Sequence, residues 1–225
     1  PLIVRVTTLN GEEGYSAYLQ SGEITDPISV VGVTPQSGLS VFANYIVIGF
    51  EHIVPKGLDH ILFVVGLFLL STQMRPLLWQ ISAFTLAHTI SLAMGILGWI
   101  NIPPAIVEPL IAASIVYVCV ENIFMNGLSR WRPFVVFAFG LLHGLGFAGV
   151  LTEVGFVQSQ FVSGLIGFNI GVELGQLTVI ALCFALVGVW FGRKSWYRVV
   201  VTIPLSLGIA AIGAYWLIER TLFAA

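Results

Sequence analysis

Residues 161–191 read FVSGLIGFNIGVELGQLTVIALCFALVGVWF, thirty-one positions in which Glu173 is the sole charged side chain. A spanning helix needs roughly 20 predominantly apolar residues, so this stretch can cross a bilayer with length to spare. Working outward from it, comparable runs occupy Leu58 to Gln73, Leu77 to Ile100, Pro104 to Met125, Pro133 to Thr152 and Val199 to Leu217. Pro76, Pro104 and Pro133 stand at first-turn positions, where a missing N–H costs nothing. One further run, Val41 to Val54, ends in Glu51-His52 and stops at Pro55-Lys56-Gly57. Fourteen residues are too few to span comfortably, which predicts an interfacial or re-entrant helix.

Composition points the same way. Hydrophobic residues make up 57% of the 225 and charged residues 9%, against roughly a quarter charged in soluble domains. A chain so poor in charge cannot hide its apolar surface in water. The expected fold class is therefore an all-α polytopic membrane protein, with about six transmembrane helices plus the short helix, and the lipid bilayer as its solvent. The net charge of −2 and the lack of a basic run exclude nucleic acid as a partner. Cys119 and Cys183 each sit inside an apolar run and read as packing residues, not as a disulfide or a CxxC site.

Residues 1–38 differ. Leu2, Val4 and Val6 alternate with Ile3, Arg5 and Thr7, Asn10-Gly11 supplies a hairpin turn, and Tyr15, Ala17 and Leu19 alternate again before Ser21-Gly22. This predicts the C-terminal remnant of an extracytoplasmic β-rich domain, with residues 39–225 forming the transmembrane helical domain. The segment is too small to bury a core alone. Together with the start at Pro1, that sets the expectation of further sequence upstream.

Basic residues give the orientation. Arg75, Arg130, Arg132, Arg193, Lys194 and Arg198, six of the nine Lys/Arg, fall in alternate loops, while the loops around Asn101–Pro103 and Glu153–Gln160 have none. The positive-inside rule puts the basic loops in the cytoplasm of an inner membrane and both chain ends outside.

Charge at bilayer depth is expensive, so ionisable groups there are functional candidates. All four histidines, His52, His60, His88 and His143, lie in or beside apolar segments, and Glu51, Asp59, Glu108, Glu121 and Glu173 share that region. Helical spacing aligns His88, Ser91 and Gly95 on the second span, Ser114, Tyr117 and Glu121 on the third, and Gly140, His143, Gly144 and Phe147 on the fourth. On the fifth, Asn169, Glu173 and Gln176 form a polar stripe flanked by Gly171 and Gly175. Four polar seams on otherwise lipid-like cylinders are expected to converge on one interior. Imidazole with carboxylate suits divalent transition ions such as nickel, cobalt, copper, iron and zinc, and histidine could equally relay protons. The candidate metal set is His52, Asp59, His60, His88, Glu121, His143 and Glu173, supported by Glu51, Asn169 and Gln176. The glycine pairs Gly140/Gly144 and Gly171/Gly175 read as helix-packing seams, and the loop arginines as topology signals.

The stretch Gly49-Phe50-Glu51-His52-Ile53 through Gly57-Leu58-Asp59-His60 resembles the HupE/UreJ family of hydrogenase and urease accessory membrane proteins. His52 and Asp59-His60 keep the spacing of the family's His-Pro…Asp-His motif, with Ile53 in the proline's place. Phe84 to Thr89 resembles the following helix, Leu142-His143-Gly144-Leu145-Gly146-Phe147 the second histidine motif, and Asn169 to Gln176 the Asn/Glu helix. The likeness runs from Phe50 to Gln176, and the branch with an extra N-terminal extracytoplasmic domain would account for residues 1–38. It implies a metal permease, nickel being the usual proposal. Phe147 stands where nickel-associated members carry a second histidine and Val150 where they carry an acid, so the resemblance implies the metal class more firmly than the metal.

The leading expectation is a transition-metal permease or metal-binding membrane protein, without a GxxxxGK[ST] motif to drive it by ATP. Two alternatives stand beside it. One is a non-catalytic subunit of a larger membrane complex or homo-oligomer; the other is an intramembrane zinc hydrolase, which needs three protein ligands and an open position and lacks an HExxH motif. No residue is assigned a catalytic role.

Overall fold

The computed structural model of the chain describes residues 2–7, 13–19, 38–125, 127–154 and 161–223. It is predominantly helical. Strands β1 (Leu2–Thr7) and β2 (Glu13–Leu19) pair antiparallel, Val4 opposite Ala17. Among the described residues of the 1–38 segment, expected as a remnant of a β-rich domain, this two-stranded ribbon is the strand structure present. The expected turns at Asn10-Gly11 and Ser21-Gly22 lie outside the described residues, as does most of the Glu153–Gln160 loop.

Helices follow: α1 (Gly38–Ile53), α2 (Leu58–Leu70), α3 (Met74–Ile96), α4 (Pro104–Phe124), α5 (Arg132–Val154) and α6 (Phe161–Cys183). A π-helical turn at Phe184–Gly188 carries α6 into the short α7 (Val189–Phe191), and another at Arg198–Thr202 leads into α8 (Ile203–Leu222). The second π turn sits just before Pro204, whose ring nitrogen cannot donate to the regular ladder. At the other end of its helix, Gly98 takes a φ of 71° and stops α3 at Ile96, earlier than the expected Ile100.

Five of these segments are long and apolar enough to cross a membrane: α3, α4, α5, the α6–α7 run and the α8 run. The first crossing differs from expectation. The sequence predicts Leu58–Gln73 as a span of its own and Val41–Val54 as a separate short interfacial or re-entrant helix. Helix α2 has 13 residues, about 20 Å of rise, too short for a hydrocarbon core of about 30 Å. Only jointly with α1 is it long enough to cross, the two helices being bent by 70° at their break. Packing shows both halves advancing the same way. Ser163 donates to the Gly38 carbonyl at the start of α1, and Gly175 abuts Ile53 at its end. Beyond α2, Thr72 reaches the Gly192 carbonyl at 3.5 Å, past the end of α7. The pair is a broken span whose break falls inside the bundle.

Glycines fix the helix pairs. Gly167 and Gly171 lie so close to the Phe42 and Ile46 carbonyls of α1 that a Cβ would collide, which sets α1 parallel to α6. Gly140 and Gly144 meet the Phe84 and His88 carbonyls in the same way, setting α5 parallel to α3. The two glycine pairs therefore serve as packing seams. Antiparallel α4 and α8 meet where Asn122 bonds Ser206 and where Gly213 lies against Ala112. Phe63, Phe84, Leu92, Ile115 and Phe168 are buried in the centre, while Leu86, Phe134, Leu186 and Trp190 are exposed on the outside, as lipid-facing side chains are.

Candidate metal centre

The α1–α2 break delivers the first two imidazoles. His52 is the next-to-last residue of α1 and His60 lies in the first turn of α2. The intervening Pro55-Lys56-Gly57 turn folds the chain back, and the two ring centroids come within 4.8 Å. His88, midway along α3, lies 5.8 Å from His60 and 6.1 Å from His52. His143, midway along α5, lies 4.8 Å from His60 on its other side. One ligand nitrogen from each of His52, His60 and His88 falls within 4.8 Å of the others, a spacing that could hold a metal ion. Four helices, α1, α2, α3 and α5, thus each place one of the four histidines of the chain in one cluster.

The walls are aromatic. Phe147 packs 3.9 Å from His52 and stacks on Phe168 at 5.3 Å; Phe63 and Phe84 flank His143 at 5.3 and 5.0 Å. Such walls exclude water and offer no hydrogen-bonding partner. In agreement, the Nε2 atoms of His52, His60, His88 and His143 are all buried and all lack a hydrogen-bond partner. Buried polar atoms are normally satisfied, so four orphaned nitrogens in one cluster call for an explanation.

For two rings the proton can be placed. Asn169 Nδ2 donates to the Leu165 carbonyl at 2.8 Å, which turns Asn169 Oδ1, an acceptor, toward His88 Nδ1 at 3.2 Å. His143 Nδ1 lies 2.9 Å from the Phe139 carbonyl. Both partners accept, so both Nδ1 atoms carry the hydrogen and both Nε2 atoms present a bare lone pair. A metal-ligating histidine commonly donates its other ring N–H to an acceptor in this way.

Each nearby carboxylate already has a partner. Asp59, beside His60, is gripped by Arg220 of α8 at 2.8 Å. Glu51 pairs with Lys56 at 2.6 Å. Glu173 accepts from Ser82 at 2.9 Å, six residues or roughly 9 Å of helix before His88. Glu121 pairs with Arg132 at 3.0 Å, eleven residues or roughly 16 Å before His143. Of the expected set, the structure brings together His52, His60, His88 and His143, with Asn169 behind His88; it does not bring Glu121 or Glu173 to the rings, while Asp59 is held by Arg220 beside His60. Gln176 bonds Thr85, one turn from His88. The seam expected on α4 does not reach the centre, because Ser114 bonds back to the Ile111 carbonyl and Tyr117 is half-exposed.

Sequence reading missed a second polar layer. Arg132, a loop topology signal by sequence, is only 2% exposed. Its Nε donates to Gln80 at 2.9 Å and its Nη2 reaches Asn122 at 3.4 Å, while Asn122 donates to the Gly66 carbonyl. Arg198 donates to the Asn122, Ile123 and Met125 carbonyls, closing the C-terminus of α4. A signal existed: Glu121 and Arg132 flank one short loop with opposite charges.

A family model described as HupE / UreJ protein matches residues 30–220. Neither a curated protein nor a solved structure matches the chain.

Proposed function

The chain belongs to the HupE/UreJ family, and from that premise we propose that it is a transition-metal permease or metal-binding protein of the inner membrane, its four imidazoles forming the ion site. The observation that carries this reading is the set of four buried, unpartnered Nε2 atoms. Neutral imidazole suits nickel, copper, iron and zinc ions, and the proposed cargo is a divalent ion of the nickel type. Ligands that are all neutral favour release, which a transport site requires as much as capture.

A route can be read from side chains. From the rings, Thr85 with Gln176 and then Ser82 with Glu173 continue along α3 toward the layer of Gln80, Arg132 and Glu121. The Arg75, Arg130 and Arg193 loops share that end of the bundle, and the positive-inside rule supports the cytoplasm for it and the exterior for both chain ends. His52 and His60 then receive the ion from the outer half, through the break between α1 and α2.

Metal content of the purified full chain tests this directly. About one nickel-type ion per chain is expected. His60→Ala, His88→Ala and His143→Ala should each weaken binding by about 10-fold or more. Wild-type and variant proteins that are equally folded and bind equally little metal would overturn the reading.

A further inference from the structure

We propose that the crevice between the N-terminal ends of α3 and α5 binds the phosphodiester headgroup of an anionic membrane lipid. It is a hollow of about 410 Å³ lined by Arg75, Pro76, Trp79, Gln80, Arg130 and Arg132, among others. Three guanidiniums border it, and among the described residues a single carboxylate, Glu121, answers them, at Arg132. Arg75 and Arg130 have no carboxylate partner among the described residues. Arg130 lies over the Trp131 ring at 5.5 Å, which leaves its N–H edge free for an anion.

The rest of the lining suits an anion too. The Gln80 carboxamide oxygen is taken by Arg132 Nε, and its nitrogen donates to the Pro76 carbonyl, so the amide turns no free acceptor toward the crevice. Arg132, 2% exposed, is paired through Nη1 with Glu121 at 3.0 Å, so the carboxylate is spent on the buried guanidinium and leaves Arg75 and Arg130 to meet an anion. Parallel α3 and α5, each of 23 residues, both begin here, and the positive ends of two helix dipoles add to the arginines. A phosphodiester offers the planar fork of arginine two oxygens at once.

The surroundings select a lipid over a free phosphate. Trp79, Trp131 and Phe134 are 67%, 60% and 67% exposed around the same end. Exposed aromatic rings at a helix end mark the headgroup level of a bilayer, and basic pockets between transmembrane helices suit anionic headgroups. Acyl chains would lie along Leu78 and Phe134, both exposed.

The experiment measures lipid binding to the purified full chain by native mass spectrometry, with thermal unfolding in detergent alongside. The probes are phosphatidylglycerol, phosphatidylcholine and inorganic phosphate, on wild type and on R75Q/R130Q, which leaves the buried Arg132 intact. Wild type should prefer phosphatidylglycerol to phosphatidylcholine by at least about tenfold, and the double variant should lose that preference. Equal binding of the two lipids, or a preference that survives the substitutions, overturns the proposal. Inorganic phosphate at millimolar concentration that stabilises wild type as well as phosphatidylglycerol does would overturn the lipid as the source. Metal binding at the imidazoles is a separate measurement and need not change with any of these results.

Discussion

Arg220 of α8 grips both carboxylate oxygens of Asp59, at 2.8 and 3.3 Å, one residue away from His60. The pair neutralises the carboxylate that stands beside His60. A divalent ion among four neutral rings keeps its full charge in a poorly polarisable site. Arg220→Gln would leave Asp59 free to compensate that charge. We expect the variant to bind divalent ions about tenfold more tightly by calorimetry, the gain disappearing in Asp59→Asn/Arg220→Gln. Both side chains are about a fifth exposed, so the lost ion pair should cost about 1 kcal/mol of stability or less. Unchanged or weaker binding in a folded Arg220→Gln protein would remove Asp59 from the charge balance of the site.

Asn169 tests the tautomer argument. Its side chain is fixed by the Leu165 carbonyl and in turn fixes His88 Nδ1–H. Asn169→Leu keeps the branched shape and removes the acceptor, so His88 loses its orientation. Metal affinity should fall about 10- to 100-fold, with the helical content seen by circular dichroism unchanged. Affinity equal to wild type would mean that His88 is held by packing alone.

The histidines were legible in the sequence because imidazole is rare in apolar runs and helical spacing says which face each ring takes. Their partners were not. Glu121 and Arg132 flank one loop, but the pairing depends on how α4 and α5 meet, and no periodicity reports that. Arg220 sits in the last turns of the last helix, 161 residues from Asp59, and only the antiparallel docking of α8 on α4 brings it to the site. Spacing likewise could not show that the first crossing is broken, since Leu58–Gln73 reads as a span until α2 is seen to stop at Leu70.

Gly171 and Gly208 form a matched pair for the packing argument. A Cβ at Gly171 meets the Ile46 carbonyl of α1 directly, whereas one at Gly208 meets nothing within 4 Å. Gly171→Ala should push α1 off α6, moving His52, at a cost of about 1–3 kcal/mol. Gly208→Ala should leave stability equal or raise it by about 0.5–1 kcal/mol through helix propensity. Chemical denaturation in detergent compares the two. Equal stabilities would mean that the α1–α6 contact carries no strain-free requirement for glycine.

Phe147 gives access to metal selectivity. Its ring lies 3.9 Å from His52 and stacks on Phe168, so the position faces the cluster although phenylalanine cannot ligate. Phe147→His would bring a fifth ring nitrogen to the same wall in a slightly smaller volume. In the proposed four-imidazole site the tetrahedral preference of zinc would already be met, whereas nickel accepts tetragonal arrangements with further ligands. The substitution should therefore raise nickel affinity about tenfold or more while leaving zinc affinity nearly unchanged, shifting the ratio measured by competition between the two ions. A parallel rise for both would show that the added ring repairs a general shortage of ligands. A parallel fall would show that the Phe147–Phe168 stack matters for holding His52 in place, and in either case coordination number would not be the basis of selectivity at this centre.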